Sequence, residues 1–124
     1  MYADTDFWLA LLKDDDWLAE RAEVLLEEHR NELEVSLATF IELFLVEERY
    51  GFDREDAVLS ILELADTDVD PNIVFQASEY VEDGLNTFDA VHAALASDGI
   101  LSSDQAFEDI DIKRVPLEPQ SEGG

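Results

Sequence analysis

Apolar residues return along this chain in two rhythms, one helical and one extended. From Thr5 to Leu12, and again from about Asp15 to His29, they recur at helical spacing, and Leu18, Ala22, Leu25 and Leu26 keep one face apolar. Leu33, Val35 and Leu37 alternate around Glu34 and Ser36, the two-residue period of a strand. A further helix is expected from about Thr39 to Tyr50, with Phe40, Ile41, Phe44 and Leu45 inward and Gly51 as its stop. Asp53 can cap a fourth, striped by Ala57, Val58, Ile61, Leu62 and Ala65. Pro71 opens a fifth that runs to about Glu82; Gly84 breaks it, and Asn86 or Thr87 caps a sixth that reaches Gly99. Residues 1–3, 67–69, 100–102 and 110–115 read as further short strands, with Pro116 placing the last at an edge.

Strand and helix in repeated alternation predict an α/β fold: three layers, with a mostly parallel five-stranded sheet flanked by helices and joined by right-handed crossovers. Ligands of such sheets lie beyond the carboxyl ends of the strands. At 124 residues the chain bounds one domain, expected over 1–117, with 118–124 as a flexible acidic tail. An apolar content of 47% separates it from disordered chains, although 31% of its residues are charged.

Charge changes the picture most. Thirty-two Asp and Glu against seven Lys and Arg give a net charge of −25. Such self-repulsion destabilises a small domain in dilute buffer, but at about 1 M salt the Debye length is only about 3 Å and most of it is screened. A salt-rich cytoplasm, as in a halophile, is therefore expected. The absence of cysteine excludes disulfides and thiolate metal sites. No apolar run approaches the roughly 20 residues that span a bilayer, and the opening MYADTDFW is no leader peptide, which also points to the cytoplasm. Nucleic-acid binding through a basic patch is disfavoured, because Lys and Arg supply most non-specific affinity for phosphate.

On this layout Asp4 lies just beyond the first strand and Asp104 just beyond the fourth, while Glu42 and Asp89 lie early in helices that reach the same rim. Four carboxylates meeting there form an oxygen donor set that suits Mg2+ or Mn2+ and nothing softer. They would repel one another without a cation, and a bound ion could serve phosphodiester hydrolysis. Each acid also has a plainer reading. Glu42 completes a capping box with Thr39, Asp89 sits near a helix dipole, Asp104 belongs to a turn, and Asp4 caps the helix after it. Spacing alone leaves both readings open.

Asp4-Thr5-Asp6 after a short strand, Glu42 within Thr39-Phe40-Ile41-Glu42-Leu43, the run Phe88-Asp89-Ala90-Val91-His92-Ala93-Ala94-Leu95-Ala96, and Ile100-Leu101-Ser102-Ser103-Asp104-Gln105-Ala106-Phe107 occur in a distinctive order. Together, over about residues 1–117, they resemble a PIN-domain nuclease, and more narrowly the VapC-type toxins of toxin–antitoxin pairs. The resemblance implies a metal-dependent endoribonuclease that uses Mg2+ or Mn2+. It implies Asp4, Glu42 and Asp89 as metal-binding acids and Asp104 as the fourth. Thr5 and Ser102 match positions whose hydroxyls support those acids. Asp6 stands where the family commonly has asparagine, and Ser102 replaces a more usual threonine. An RNA substrate, a cognate antitoxin and a homodimer are the implied partners, with no membrane.

Two other readings stand beside this one: a housekeeping RNA-processing nuclease of the same fold, and an acidic α/β binding module without turnover. Asp66, Asp68 and Asp70 have the start of a calcium-loop spacing, but Pro71 occupies the position that needs glycine. His92 is expected to pack beside helix alanines, and His29 to be solvated at a helix end. Phe7, Trp8, Trp17, Phe40 and Phe44 suit the core, a homodimer seam or a groove for a partner helix. Lys13, Arg49 and Arg54 are candidates for contact with RNA backbone and equally for pairing with local acids.

Overall fold

A computed structural model describes residues 1–13, 16–96 and 98–119. Six α-helices carry the chain: α1 (Thr5–Leu12), α2 (Ala19–Glu28), α3 (Leu37–Tyr50), α4 (Arg54–Leu64), α5 (Pro71–Glu82) and α6 (Thr87–Leu95). Four short strands lie between them: β1 (Glu34–Val35), β2 (Asp66–Thr67), β3 (Ile100–Leu101) and β4 (Arg114–Val115). A 3-10 helix, Gln105–Asp109, follows β3.

Local chemistry sets most helix ends where the pattern places them. Asp53 accepts the Asp56 N–H at 3.0 Å, Asp70 accepts that of Asn72 at 2.9 Å ahead of Pro71, and Asn86 accepts that of Asp89 at 2.9 Å. Gly51 stops α3 in the left-handed conformation, at φ 71°. Other boundaries move. α2 starts at Ala19; the expected start, Asp15, lies outside the described residues, and Asp16 instead accepts the Leu18 N–H at 2.8 Å. α3 begins two residues before Thr39 and takes Leu37 away from the expected strand, and α6 stops at Leu95, short of Gly99.

The expected single five-stranded sheet is not what forms among the described residues. Tyr2 bridges to Glu34, and β1 pairs with β2, all in parallel; β3 pairs with β4, also in parallel, as a separate ribbon. Each strand is two residues long, so backbone pairing alone cannot knit them together, and the burial falls to the helices. Phe40, Leu43, Val58, Ile61 and Val74 are the centre of a core that also takes in Ala3 and Val35 from the strand rows. Tyr80, Leu85, Ala90, Ala93 and Phe107 form a second cluster that seats the 3-10 helix on α6. At the start of β3, Gly99 has φ 147°, and a Cβ there would stand 2.8 Å from the Lys113 carbonyl oxygen, so this approach to β4 requires glycine.

A buried cation ties three helices together. Arg54 is 6% exposed; its Nε donates to Ser78 Oγ of α5 at 2.9 Å, and its terminal nitrogens donate to Glu47 of α3 and Glu82 of α5. Of the two readings open for Arg54, contact with RNA and pairing with acids, the structure takes the second, since its guanidinium is engaged inside the protein. Removing it strands Glu47, whose side chain is largely buried, and the Ser78 hydroxyl. Arg54→Met is therefore expected to cost about 2–4 kcal/mol in urea unfolding, whereas a loss near that of a surface pair, below about 0.5 kcal/mol, would contradict the clamp.

Candidate metal site

Asp4 turns the chain out of the first strand row. Ala3 is the last residue to pair there, its N–H donating to the Glu34 carbonyl at 2.9 Å, and Asp4 then caps α1 by accepting the Thr5 N–H at 2.7 Å. Asp6 follows in the first turn, exposed. Thr5 is buried, and its Oγ1 has no hydrogen-bond partner. An unused donor of this kind costs free energy unless something satisfies it.

Glu42 projects from α3 and is exposed. Its capping-box reading fails: the N-cap of α3 is Ser36, so Thr39 already lies inside the helix, its N–H donating to the Ser36 carbonyl at 3.1 Å. Thr39 and Glu42 are three residues apart and so share a helix face, and the Tyr2 hydroxyl lies 3.4 Å from Thr39 Oγ1. This contact ties the row that leads into Asp4 to the face of α3 that bears Glu42.

Asp89 sits in the first turn of α6, half-buried. Its N–H donates to Asn86 Oδ1 at 2.9 Å, and Asn86 Nδ2 donates back to Asp89 Oδ2 at 2.8 Å. Asp104 caps the 3-10 helix by accepting the Ala106 N–H at 2.9 Å, and its own N–H donates to Ser102 Oγ at 3.0 Å. Asp4 and Asp104 thus each commit one carboxylate oxygen to capping a helix, and Asp89 commits one to the side-chain amide of the Asn86 cap, which fixes their side chains.

α1 packs on α3, and α3 on α6, so the elements bearing Asp4, Glu42 and Asp89 adjoin; Phe107 brings the Asp104 segment against α6. Proximity ends at the level of elements. Among the described residues, no group of three or more Asp, Glu or His side chains stands close enough to clasp an ion as placed. The donor set still fits a hard divalent cation in its chemistry, since it is all oxygen, and the orphaned Thr5 hydroxyl beside Asp4 is a donor that such a centre can use.

Two determinants of this region were not recognised from the sequence. Arg114 donates to the Ser102 carbonyl at 2.8 Å, to Glu118 at 2.9 Å and to Glu108, so one guanidinium ties β4, the turn before Asp104 and the 3-10 helix. The hydrogen bonds that Arg114 donates to Glu118 and then Glu108 push its pKa further up, and the Arg114 bond holds the Glu118 carboxyl below the usual range. The only signal for this was the scarcity of cations. The 3-10 helix itself left no periodic trace.

The readings left open for the aromatic residues and cations resolve as follows, and the two histidines differ from expectation. Trp8, Phe40 and Phe44 are core, Phe7 meets Trp8 edge-on at 5.0 Å, and Trp17 is 88% exposed. Lys13 pairs with Asp16 at 3.1 Å and lies 4.4 Å from the centre of the Tyr50 ring, which Arg49 also approaches. His92 is exposed, where packing beside alanines was expected, and His29 is half-buried with an unpartnered Nδ1.

The model of the PIN domain family matches residues 1–115. No curated protein and no solved structure matches the chain significantly.

The second cluster, which seats α6 and the 3-10 helix, contains a phenol whose ionisation it resists. Burial raises the Tyr80 pKa above the ordinary tyrosine value, and the charges of Asp111, Glu79 and Asp83 add to the shift. A raised folded-state value contributes stability that is present below the ordinary tyrosine pKa and is lost as pH climbs through the folded one. Wild-type stability is therefore expected to fall above about pH 10 more steeply than that of Tyr80→Phe, measured by denaturant unfolding; parallel profiles would contradict this.

Proposed function

The chain belongs to the PIN domain family, and from that premise we propose that it is a metal-dependent endoribonuclease, the toxin component of a type II toxin–antitoxin system. PIN domains have an α/β fold and are generally nucleases, hydrolases that act on phosphodiester bonds. The observation that carries the finer reading is the placement of Asp4, Glu42, Asp89 and Asp104 at the starts or early turns of elements that pack on one another, beside a buried hydroxyl without a partner.

In this reading Asp4, Glu42 and Asp89 hold Mg2+ or Mn2+, and Asp104 holds a second ion or a water. When bound, the divalent ion supplies Lewis acidity toward the phosphodiester and acidifies water for in-line attack. The protein's own groups do the positioning. Asn86 pins the Asp89 carboxylate, the Ser102 hydroxyl fixes the backbone of Asp104 and Arg114 fixes the carbonyl of Ser102, and Thr5 offers its unused hydroxyl next to Asp4. Hydrolysis of this kind leaves a 5′-phosphate and a 3′-hydroxyl. Asp6 adds negative charge beside the site.

The setting follows from the charge. A net charge of −25 suits a salt-rich cytoplasm, and the resemblance to VapC-type toxins supports a cognate antitoxin and a homodimer. No helix among the described residues is long and apolar enough to cross a membrane. A binding module without turnover is favoured by one observation: Asp4 and Asp104 serve as helix caps and Asp89 holds the amide of the Asn86 cap, roles that need no metal.

Metal linkage separates the two. At fixed high salt, saturating Mn2+ is expected to raise the wild-type melting temperature by several degrees, and Asp89→Asn, which can still accept the Asn86 bond, is expected to abolish the shift. Equal shifts in both proteins would contradict the metal assignment, and RNA fragments ending in 2′,3′-cyclic phosphate would contradict the mechanism.

A further inference from the structure

An acidic ribonuclease faces a difficulty in gripping its substrate, and the seven cations do little to relieve it. Arg54 and Arg114 are locked inside the protein by carboxylates, Lys13 and Arg30 pair with Asp16 and Glu27, and Arg49 lies over Tyr50, which leaves the exposed Arg21 and Lys113 to face thirty-two acids. Affinity for RNA that does not come from phosphate neutralisation has to come from the bases, and an unpaired base binds by stacking on an aromatic face.

One aromatic ring is placed for that purpose. Tyr2 is 53% exposed and stands two residues before Asp4, on the same side of the first strand row. Its hydroxyl is held by Ser36 Oγ at 2.8 Å and lies 3.4 Å from Thr39 Oγ1, so the ring is fixed at its far end while much of its surface faces water. With Ser36, Tyr2 lines one open pocket, and it is one of the residues lining a neighbouring one of about 240 Å3, whose lining also includes Asp4, Phe7, Leu25 and His29. That lining is almost wholly apolar except for the Asp4 edge and His29, whose Nδ1 is buried without a hydrogen-bond partner and stands 3.6 Å from Glu32. An open, almost wholly apolar pocket with a polar rim suits a nucleobase, which has two apolar faces and a polar edge.

We propose that Tyr2 and this pocket bind an unpaired base of the RNA substrate next to the scissile phosphate, and that stacking there supplies the grip that a basic surface would otherwise provide. The inference rests on the ribonuclease reading and deepens it: the substrate is single-stranded at this point and is held by a base. Tyr2 is a binding residue, and its ring acts while its hydroxyl only fixes the ring.

The test measures fluorescence anisotropy of a 5′-labelled single-stranded oligoribonucleotide on full-length Asp89→Asn protein, which binds without cutting, across a KCl series at constant Mg2+. Adding Tyr2→Ala is expected to weaken binding roughly ten- to hundredfold, the loss of one stacked base, whereas Tyr2→Phe retains nearly all of it. The slope of log affinity against log salt is expected to be shallower than about one, in contrast to a phosphate grip, which steepens with every contact. Unchanged affinity in Tyr2→Ala overturns the proposal, including the case in which the pocket serves a protein side chain. A steep salt slope also overturns it. If Mn2+ still raises the melting temperature while either of these results holds, only the base pocket is lost; if neither RNA binding nor the Mn2+ shift occurs, the ribonuclease reading falls with it.

Discussion

Mutual repulsion among carboxylates is the constraint that the rest of this molecule answers to. With −25 charges on 124 residues, every cation placed inside the protein does the work of several on an ordinary surface. Arg54 and Arg114 illustrate the use made of them. Each is buried at its guanidinium, each engages two carboxylates, and each joins segments distant in sequence: α3, α4 and α5 in one case, β4 with the Asp104 segment in the other. Such clusters are retained because breaking them leaves unpaired buried charge, even where their net contribution relative to an apolar packing is small.

The acids serve a second purpose at helix starts. Asp4, Asp53, Asp70 and Asp104 each accept a backbone N–H that the helix leaves unpaired, which places negative charge against the positive end of the backbone dipoles. In the proposed site the same fixing of side chains would ready Asp4, Asp89 and Asp104 for a further ligand. A carboxylate pinned at one oxygen loses less rotamer freedom when the other is engaged, so these bonds would favour the proposed metal binding. Glu42, which has no such cap bond, is the member left to adjust.

How much of this was legible depended on how local the cause was. α1 and α5 were readable to the residue because their ends are fixed by Asp4 and Asp70 with Pro71, chemistry contained within a few positions. The sheet was not. Strand pairs of two residues, such as Glu34–Val35, carry too little alternation to say which edge they join, and the separation of β3 and β4 from β1 and β2 reflects packing by distant helices. The two readings of Arg54 stayed open in the sequence because an isolated arginine looks the same there whether it faces solvent or three helices. Asp4, Glu42, Asp89 and Asp104 were legible as candidates through the order of their motifs. Their distances were not, since those arise from tertiary packing that no spacing encodes.

The central claim is that Asp4, Glu42 and Asp89 share one divalent cation. Crystals grown at high salt with Mn2+, with anomalous diffraction recorded at the manganese edge, test it most directly. The account predicts one dominant anomalous peak ligated at about 2.1–2.2 Å, slightly longer than Mg2+ distances, by oxygens of those three residues, with Asp104 facing it. Manganese scattered over surface carboxylates, with none between these three, would contradict it.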